Sequence, residues 1–134
     1  RVPFIVVAPG LTPGGSRCDR PIDLTAIYPT LLELCGLDPD PAADGQSIVP
    51  LLRDPSTPWD RPALTTYLRG NHAVRTERWR WIHYADGSEE LYDHTVDPHE
   101  WTNLAIDPAF DEIRRTLRGY LPETDAPSVP DLGR

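Results

Sequence analysis

The chain has 134 residues, of which 39% are hydrophobic and 25% charged, the balance of a folded domain rather than of a disordered segment. Its net charge of −8 argues against a nucleic-acid partner, because phosphate binding needs a concentrated basic surface. No apolar run approaches the roughly 20 residues that span a bilayer, so no membrane span is expected and the compartment stays open.

The first element is VPFIVVAP, residues 2–9, a continuous apolar run typical of a strand covered on both faces of a parallel sheet. Such a strand needs neighbours, and the sequence holds no second run of this kind. Because the chain also starts at Arg1 and contains no methionine, it is expected to be a piece of a longer product. The partner of the strand is then a missing N-terminal part or a second copy, paired through residues 4–7 from Phe4 to Val7.

A helix is predicted next, because apolar residues recur at helical spacing and would cover the first strand. Asp23 is the expected N-cap, and Gly36 the residue just beyond the C-terminus. Pro29 is tolerated only near the start, so the first turn is expected to be separate or irregular. Residues 44–55 predict a turn and one or two further helical turns. The apolar stripe consists of Leu24, Ile27, Tyr28, Leu31, Leu32 and Cys35.

The periodicity then changes to near two in PALTTYL, HAVRTE, RWRWIHY and SEELYD, which predicts an antiparallel sheet of three or four strands. In the third segment Trp79, Trp81 and His83 share one face. The step from Asp86 to Gly87 predicts a hairpin with a type I′ turn, which needs positive φ at both positions.

A final helix is predicted after Asp107, which caps it, with Pro108 in its first turn and Gly119 at its end. Its apolar stripe is expected to lie on the sheet. Residues 122–134 are expected to form a loose, proline-rich tail. The stripe consists of Phe110, Ile113 and Leu117, with Tyr120 as a further candidate.

The segment ELYDHTVDPHEWTNLA, residues 90–105, concentrates acidic residues and histidines. It could offer a divalent ion five side chains, but Pro98 interrupts any regular element here. Asp97 before that proline is a turn-initiating residue whose carboxylate can accept the next N–H groups. A structural turn is therefore favoured over a metal site. The five side chains are Asp93, His94, Asp97, His99 and Glu100.

Nucleophilic catalysis finds no support in the sequence, which contains no G-x-S-x-G elbow. Cys18 and Cys35 have neither the spacing of a zinc pair nor that of a disulfide framework. Both are predicted to be free thiols, buried or half-buried.

The same acidic segment closely resembles the E-L-Y-D-x-x-x-D-P-x-E-x-x-N-L-A signature near the C-terminus of type I sulfatases, in the alkaline-phosphatase-like superfamily. RVPFIVVAPG, CDRPIDLTAIYPTLLELCGL, DGQSIVPLL and HAVRTERWRWIHY resemble successive segments of that family, in the same order. The resemblance extends to about residue 107. It implies an intact parent that hydrolyses sulfate esters with calcium and a formylglycine, which is made from the Cys or Ser of C/S-x-P-x-R.

The resemblance also implies what this chain lacks. CDRPID places its proline at the third position after Cys18 rather than the second, and CGLDP at Cys35 fails likewise. The family's metal-binding and sulfate-clamping segments precede the strand represented by VPFIVVAP. The chain is therefore expected to hold no nucleophile and no metal site, and to be inactive alone.

The implied fold is α+β: residues 1–58 end the large α/β domain, and residues 59–121 form a C-terminal antiparallel-sheet subdomain with a closing helix. In such enzymes this subdomain packs beside the active-site cleft. Asn71 and His72, which follow Gly70, are the candidates for substrate contact at the cleft rim. The alternative for His72 is a hydrogen-bonded residue at the end of a strand. Two other functions stay open: a phosphate or phosphonate ester hydrolase of the same superfamily, and a free-standing structural or oligomerisation module.

Overall fold

The computed structural model describes residues 2–127 and divides the chain into two compact units. The first unit ends at Asp60 and the second begins at Arg61. Within the described part, no helix has the length and apolar character needed to cross a bilayer.

The first unit contains two short helices, α1 (Ile27–Leu34) and α2 (Val49–Arg53). A separate 3-10 turn, Leu24–Ala26, precedes α1, as Pro29 led us to expect. The Asp23 carboxylate caps this turn by accepting the N–H of Thr25 at 3.1 Å. The predicted start of the helix, with its irregular first turn, is confirmed.

The small core of the first unit holds α1 against the start of α2. Ala26, Ile48 and Leu51 are buried together. The hydroxyl of Thr30, itself buried, donates to the carbonyl of Ala26 at 2.6 Å and accepts the N–H of Ile48 at 3.0 Å. Gly45 lies so close to the backbone of the 3-10 turn that an added Cβ would be 2.0 Å from the carbonyl oxygen of Thr25.

The apolar run at the start of the chain differs from the prediction. Residues 2–8 form no strand within the described structure, and Ile5 and Val7 are 85% and 80% exposed. The buried strand predicted for residues 2–9 is therefore wrong for this chain by itself, because a strand needs a neighbour to bond its backbone. The predicted stripe of α1 is also largely at the surface, since Leu24, Tyr28 and Leu31 are exposed.

The second unit contains a four-stranded antiparallel sheet in which each strand pairs with the next along the chain. Val74 lies opposite Trp81, and Trp81 lies opposite Leu91. These three side chains are fully buried on one face of the sheet. The strands are β1 (Ala63–Thr66), β2 (His72–Arg75), β3 (Trp79–His83) and β4 (Glu89–Asp93).

Helix α3 (Asp111–Arg118) packs on this face, after a 3-10 turn (Pro108–Phe110). The Asp107 carboxylate caps that turn by accepting the N–H of Ala109 at 2.9 Å, as predicted. Leu117 joins the buried cluster, with Phe110 and Ile113 packed against it. Tyr120, the further candidate, is exposed, and Leu121 packs in its place.

The β3–β4 hairpin forms where it was predicted but with a different turn. Gly87 has a φ of +85°, whereas Asp86 is not among the positive-φ residues. The N–H of Gly87 donates to the carbonyl of Tyr84 at 2.9 Å, and the N–H of Tyr84 donates to Ser88 at 3.0 Å. This is a three-residue loop closed by a glycine bulge, so the predicted type I′ turn is wrong.

Candidate functional site

The sheet places the two regions singled out in the sequence at opposite ends. The β1–β2 loop, residues 67–71, and the β3–β4 loop, residues 84–88, lie at one end. The connection from β2 to β3 and the turn that follows β4 lie at the other. Strands of four or five residues separate the two ends by roughly 15 Å.

His72 starts β2 at the first of these ends and is only 5% exposed. Its Nδ1 lies 2.9 Å from the hydroxyl of Thr66, the residue opposite it in the ladder. Its Nε2 lies 3.7 Å from a carboxylate oxygen of Asp125. Both ring nitrogens of His72 are thus next to polar groups of this chain.

Asn71 and Gly70 join the two loops at this end. The side-chain carbonyl of Asn71 accepts the N–H of Ala85 at 3.2 Å, and its amide donates to the carbonyl of Arg69 at 3.2 Å. The N–H of Gly70 donates to Asp125 at 2.7 Å. Gly70 has a φ of +80°, and an added Cβ would lie 2.9 Å from that of Ala85. Asn71 and Gly70 therefore hold the β1–β2 loop in one position.

The tip of the β1–β2 loop exposes Tyr67, Leu68 and Arg69, with Tyr67 74% exposed. Sequence reasoning stopped at Asn71 and His72 and missed these side chains. The available signal was the run YLRG, in which three large residues precede a glycine. Sequence reasoning also missed Asp125, which falls in the segment predicted to be loose. The rest of that predicted tail, residues 128–134, lies outside the described residues.

At the opposite end of the sheet, the carboxylate of Asp93 fixes the first part of the acidic segment through hydrogen bonds. Its carboxylate accepts from Nε and Nη2 of Arg78 at 3.0 and 2.7 Å, and from both the N–H and the hydroxyl of Thr95. Asp93 is 5% exposed. The Arg78 guanidinium lowers the pKa of Asp93 to about 2, against the opposing effect of burial and with the help of Thr95.

The side chains of His94, Asp97 and Glu100 also bind within the fold, whereas His99 is exposed and its ring stacks on that of Trp101. Glu100 accepts from Arg80 at 2.6 Å and lies 2.7 Å from Nε2 of His94. Burial opposes ionisation of Glu100, but these two partners lower its pKa below the usual range. The Asp97 carboxylate accepts the N–H of Thr102 at 2.9 Å. The structure therefore gives this segment the architecture of a capped turn.

Asn103 connects that turn to β4. Its side-chain carbonyl accepts the N–H of Leu91 at 3.0 Å and that of Ala105 at 2.9 Å. Its amide donates to the carbonyl of Glu89 at 3.2 Å. Asn103 thus satisfies backbone groups at the edge of the sheet, where no fifth strand pairs among the described residues.

Among residues 2–127 the side chains do not fit a calcium ion, and the sequence has no C/S-x-P-x-R motif from which a formylglycine could be made. Across residues 2–127, no three His, Cys, Asp or Glu side chains come together as a metal site requires. Cys18 and Cys35 are free, as predicted, but both are exposed, so the prediction of buried or half-buried thiols is wrong. Cys35 is the C-cap of α1, on the side that the unit leaves uncovered.

Comparison with known proteins agrees with the resemblance to sulfatases seen in the sequence. The profile of the family described as "N-sulphoglucosamine sulphohydrolase, C-terminal" matches residues 1–126. A sulfatase of Formosa agariphila is 39% identical over 126 residues, which are 94% of this chain and 25% of that protein. The chain spans about a quarter of the length of the curated relatives it matches.

Solved structures share the fold. BT4656, determined in complex with its substrate D-glucosamine-2-N,6-O-disulfate, superposes with a TM-score of 0.61 over 70% of this chain and 22% of that protein, at 21% identity. The phosphonate monoester hydrolase of Agrobacterium radiobacter superposes with a TM-score of 0.56 at 28% identity, over 70% of this chain and 23% of that protein.

Proposed function

The chain belongs to the N-sulphoglucosamine sulphohydrolase C-terminal family of sulfatases, and from this premise we propose that it is the C-terminal part of an enzyme that hydrolyses sulfate esters. The match over residues 1–126 carries the proposal. Residues 1–58 then end the large α/β domain, residues 59–121 form the C-terminal subdomain, and residues 122–134 are its tail.

In this proposal the chain supports the fold and supplies neither the nucleophile nor the metal site. The exposed Cys18 and Cys35 have no C-x-P-x-R context. The carboxylates of Asp93, Asp97 and Glu100 accept hydrogen bonds from the fold's own arginines and backbone. Calcium and formylglycine belong to the remainder of the parent, so the 134-residue chain is inactive alone.

The partner of this chain is the N-terminal remainder of the parent. The apolar run that includes Ile5 and Val7 supports this, because its exposed side chains and unpaired backbone are suited to a strand within a larger sheet. The relatives support it as well, since the chain spans a quarter of their length. A second copy paired through residues 4–7 is the competing partner.

Asn71 and His72 belong to the rim of the substrate cleft in this proposal. This assignment is supported by the position of these residues in and beside the β1–β2 loop, which carries exposed side chains at its tip. His72 is buried and Asn71 is bonded to Ala85, so both act by fixing that loop rather than by reaching into solvent.

A second candidate reaction is the hydrolysis of phosphate or phosphonate esters. The similarity to the phosphonate monoester hydrolase of Agrobacterium radiobacter, at 28% identity, favours it. The two candidates require the same support from this chain, and they differ in the reaction that the remainder performs.

A chimera tests the proposal. The quarter of the Formosa agariphila sulfatase that matches is replaced by this chain, and hydrolysis of nitrophenyl sulfate, nitrophenyl phosphate and a nitrophenyl phosphonate is measured with calcium. We expect sulfate-ester turnover by the chimera and none by the 134-residue chain, which is the control. Turnover by the chain alone would overturn the assignment of the nucleophile to the remainder. A folded chimera without sulfatase activity, beside an active Formosa enzyme, would overturn the supporting role.

Sedimentation of the 134-residue chain distinguishes the two partners. A monomer at high concentration would contradict pairing through residues 4–7 and leave the remainder of the parent as the partner. A stable dimer that residue changes Ile5→Asp and Val7→Asp dissociate would support the oligomerisation module instead.

A further inference from the structure

The β1–β2 loop, residues 67–71, is held in place although it lies on the surface. The N–H of Gly70 is bonded to Asp125, and the N–H of Ala85 to Asn71. Gly70 approaches Ala85 so closely that a side chain there would collide with it. Loops fixed on a rigid scaffold are where proteins place their recognition residues. This loop has the support that a recognition surface requires.

Asp125 makes the most distant of these contacts, 55 residues along the chain from Gly70. A carboxylate that accepts a backbone N–H at 2.7 Å forms a charge-assisted hydrogen bond, stronger than a neutral one. The same oxygen lies 3.7 Å from Nε2 of the buried His72. One carboxylate therefore contacts both the loop and the start of β2.

The tip of the loop presents Tyr67, Leu68 and Arg69 to solvent. Leu68 has a φ of +56°, a conformation that residues other than glycine adopt uncommonly. The guanidinium of Arg69 forms no ion pair with another described residue, in a chain with a net charge of −8. An exposed aromatic ring and a guanidinium thus stand two residues apart on a fixed backbone.

We propose that Asp125 is a positioning residue for the β1–β2 loop, and that Arg69 and Tyr67 on this loop contact the substrate at a second anionic group. The substrate is then a sulfate ester that carries a carboxylate or another sulfate besides the ester that reacts. Arg69 would bind that group through two parallel hydrogen bonds, and the ring of Tyr67 would pack on the adjoining substrate ring. This inference rests on the proposed function.

The first experiment tests the Asp125 contact in the 134-residue chain. Amide hydrogen exchange at Gly70 is measured in the unchanged chain and in Asp125→Asn, Asp125→Glu and Glu123→Gln. We expect exchange about 10- to 100-fold faster in Asp125→Asn, because a charge-assisted hydrogen bond is lost. Asp125→Glu should restore part of the protection. Glu123→Gln, an exposed neighbour, should change nothing. Unchanged exchange in Asp125→Asn would overturn the positioning role.

The second experiment tests the contact with substrate in the Formosa chimera. KM and kcat are compared for nitrophenyl sulfate and for an aryl glycoside sulfate that carries an additional carboxylate. Arg69→Ala should raise KM for the doubly anionic substrate about three- to fivefold, the scale of a solvent-exposed ion pair. This rise should exceed any change in kcat and any change in the KM for nitrophenyl sulfate, which carries no second anionic group. Asp125→Asn should likewise raise the KM for the doubly anionic substrate more than the KM for nitrophenyl sulfate. Asp125→Glu should reverse part of that rise.

Arg115→Ala is the matched control, because Arg115 is an exposed arginine on α3, away from the loop. Equal KM changes for both substrates, or no change for either, would overturn the contact with a second anionic group. A folded chimera that hydrolyses neither substrate would instead refute the proposed function. The exchange measurement on Gly70 would still decide the role of Asp125 in that case.

Discussion

The two units of the chain differ in how completely they bury their apolar side chains. The second unit buries Val74, Trp81 and Leu91 completely beneath α3. The first unit has a smaller core and leaves Ile5 and Val7 mostly exposed. The second unit therefore covers most of its large apolar side chains with its own residues, whereas the first leaves several of them uncovered.

The largest expected effect tests this difference through one buried and one exposed side chain. Trp81→Ala removes a side chain with 0% exposure, which should lower the free energy of unfolding by about 3–5 kcal/mol. Ile5→Ala, at 85% exposure, should change it by less than about 0.5 kcal/mol. Urea unfolding followed by circular dichroism measures both. A large loss from Ile5→Ala would show that residues 2–8 are covered in solution, and would break the comparison.

A smaller effect is expected from a matched pair of carboxylates, one in each unit. Asp93 accepts from the N–H and hydroxyl of Thr95, and Asp54 accepts in the same way from Ser56. Only Asp93 is buried and bonded to Arg78. Asp93→Asn should therefore cost about 2–3 kcal/mol of unfolding free energy, and Asp54→Asn clearly less. Equal losses in urea unfolding would mean that the local turn, not the Arg78 pair, carries the stabilisation.

The smallest expected effect is the pH dependence that Asp93 causes. Its pKa falls from the usual 3.8 to about 2 on folding, so the folded state binds fewer protons than the unfolded state between these values. The stabilisation is complete above about pH 4 and is lost as the pH falls toward 2. Unfolding free energies measured across this window should decline in the unchanged chain and decline less in Asp93→Asn. Parallel pH profiles would contradict the lowered pKa of Asp93.

Local signals predicted the start of the helix in each unit and the sheet of the second unit. Asp23 and Asp107 cap the turns at which they were predicted, and the strand segments form a sheet in chain order. These features depend on neighbouring residues, which a single sequence displays directly. The predicted type of the hairpin turn was wrong. The turn type depends on φ at Asp86, and the Asp-Gly pair alone does not fix that angle.

The features that were missed or predicted wrongly depend on contacts between residues far apart in the sequence, which local patterns do not encode. The contact from Asp125 to Gly70 spans 55 residues, so no periodicity points to it. The apolar run of residues 2–9 indicates a strand, but it cannot supply the strand beside which it would lie. Cys35 was predicted to be buried or half-buried, and it is exposed because the helical stripe to which it belongs lies largely at the surface.

The simple order of the sheet has a consequence for how the chain reaches its native state. Each strand pairs with its immediate successor, so forming the sheet requires only short segments to find one another. Proteins whose contacts are this local fold quickly, because little chain entropy is lost before contacts begin to compensate for it. The four strands should therefore pair early in folding, before contacts as distant along the chain as that between Gly70 and Asp125 form.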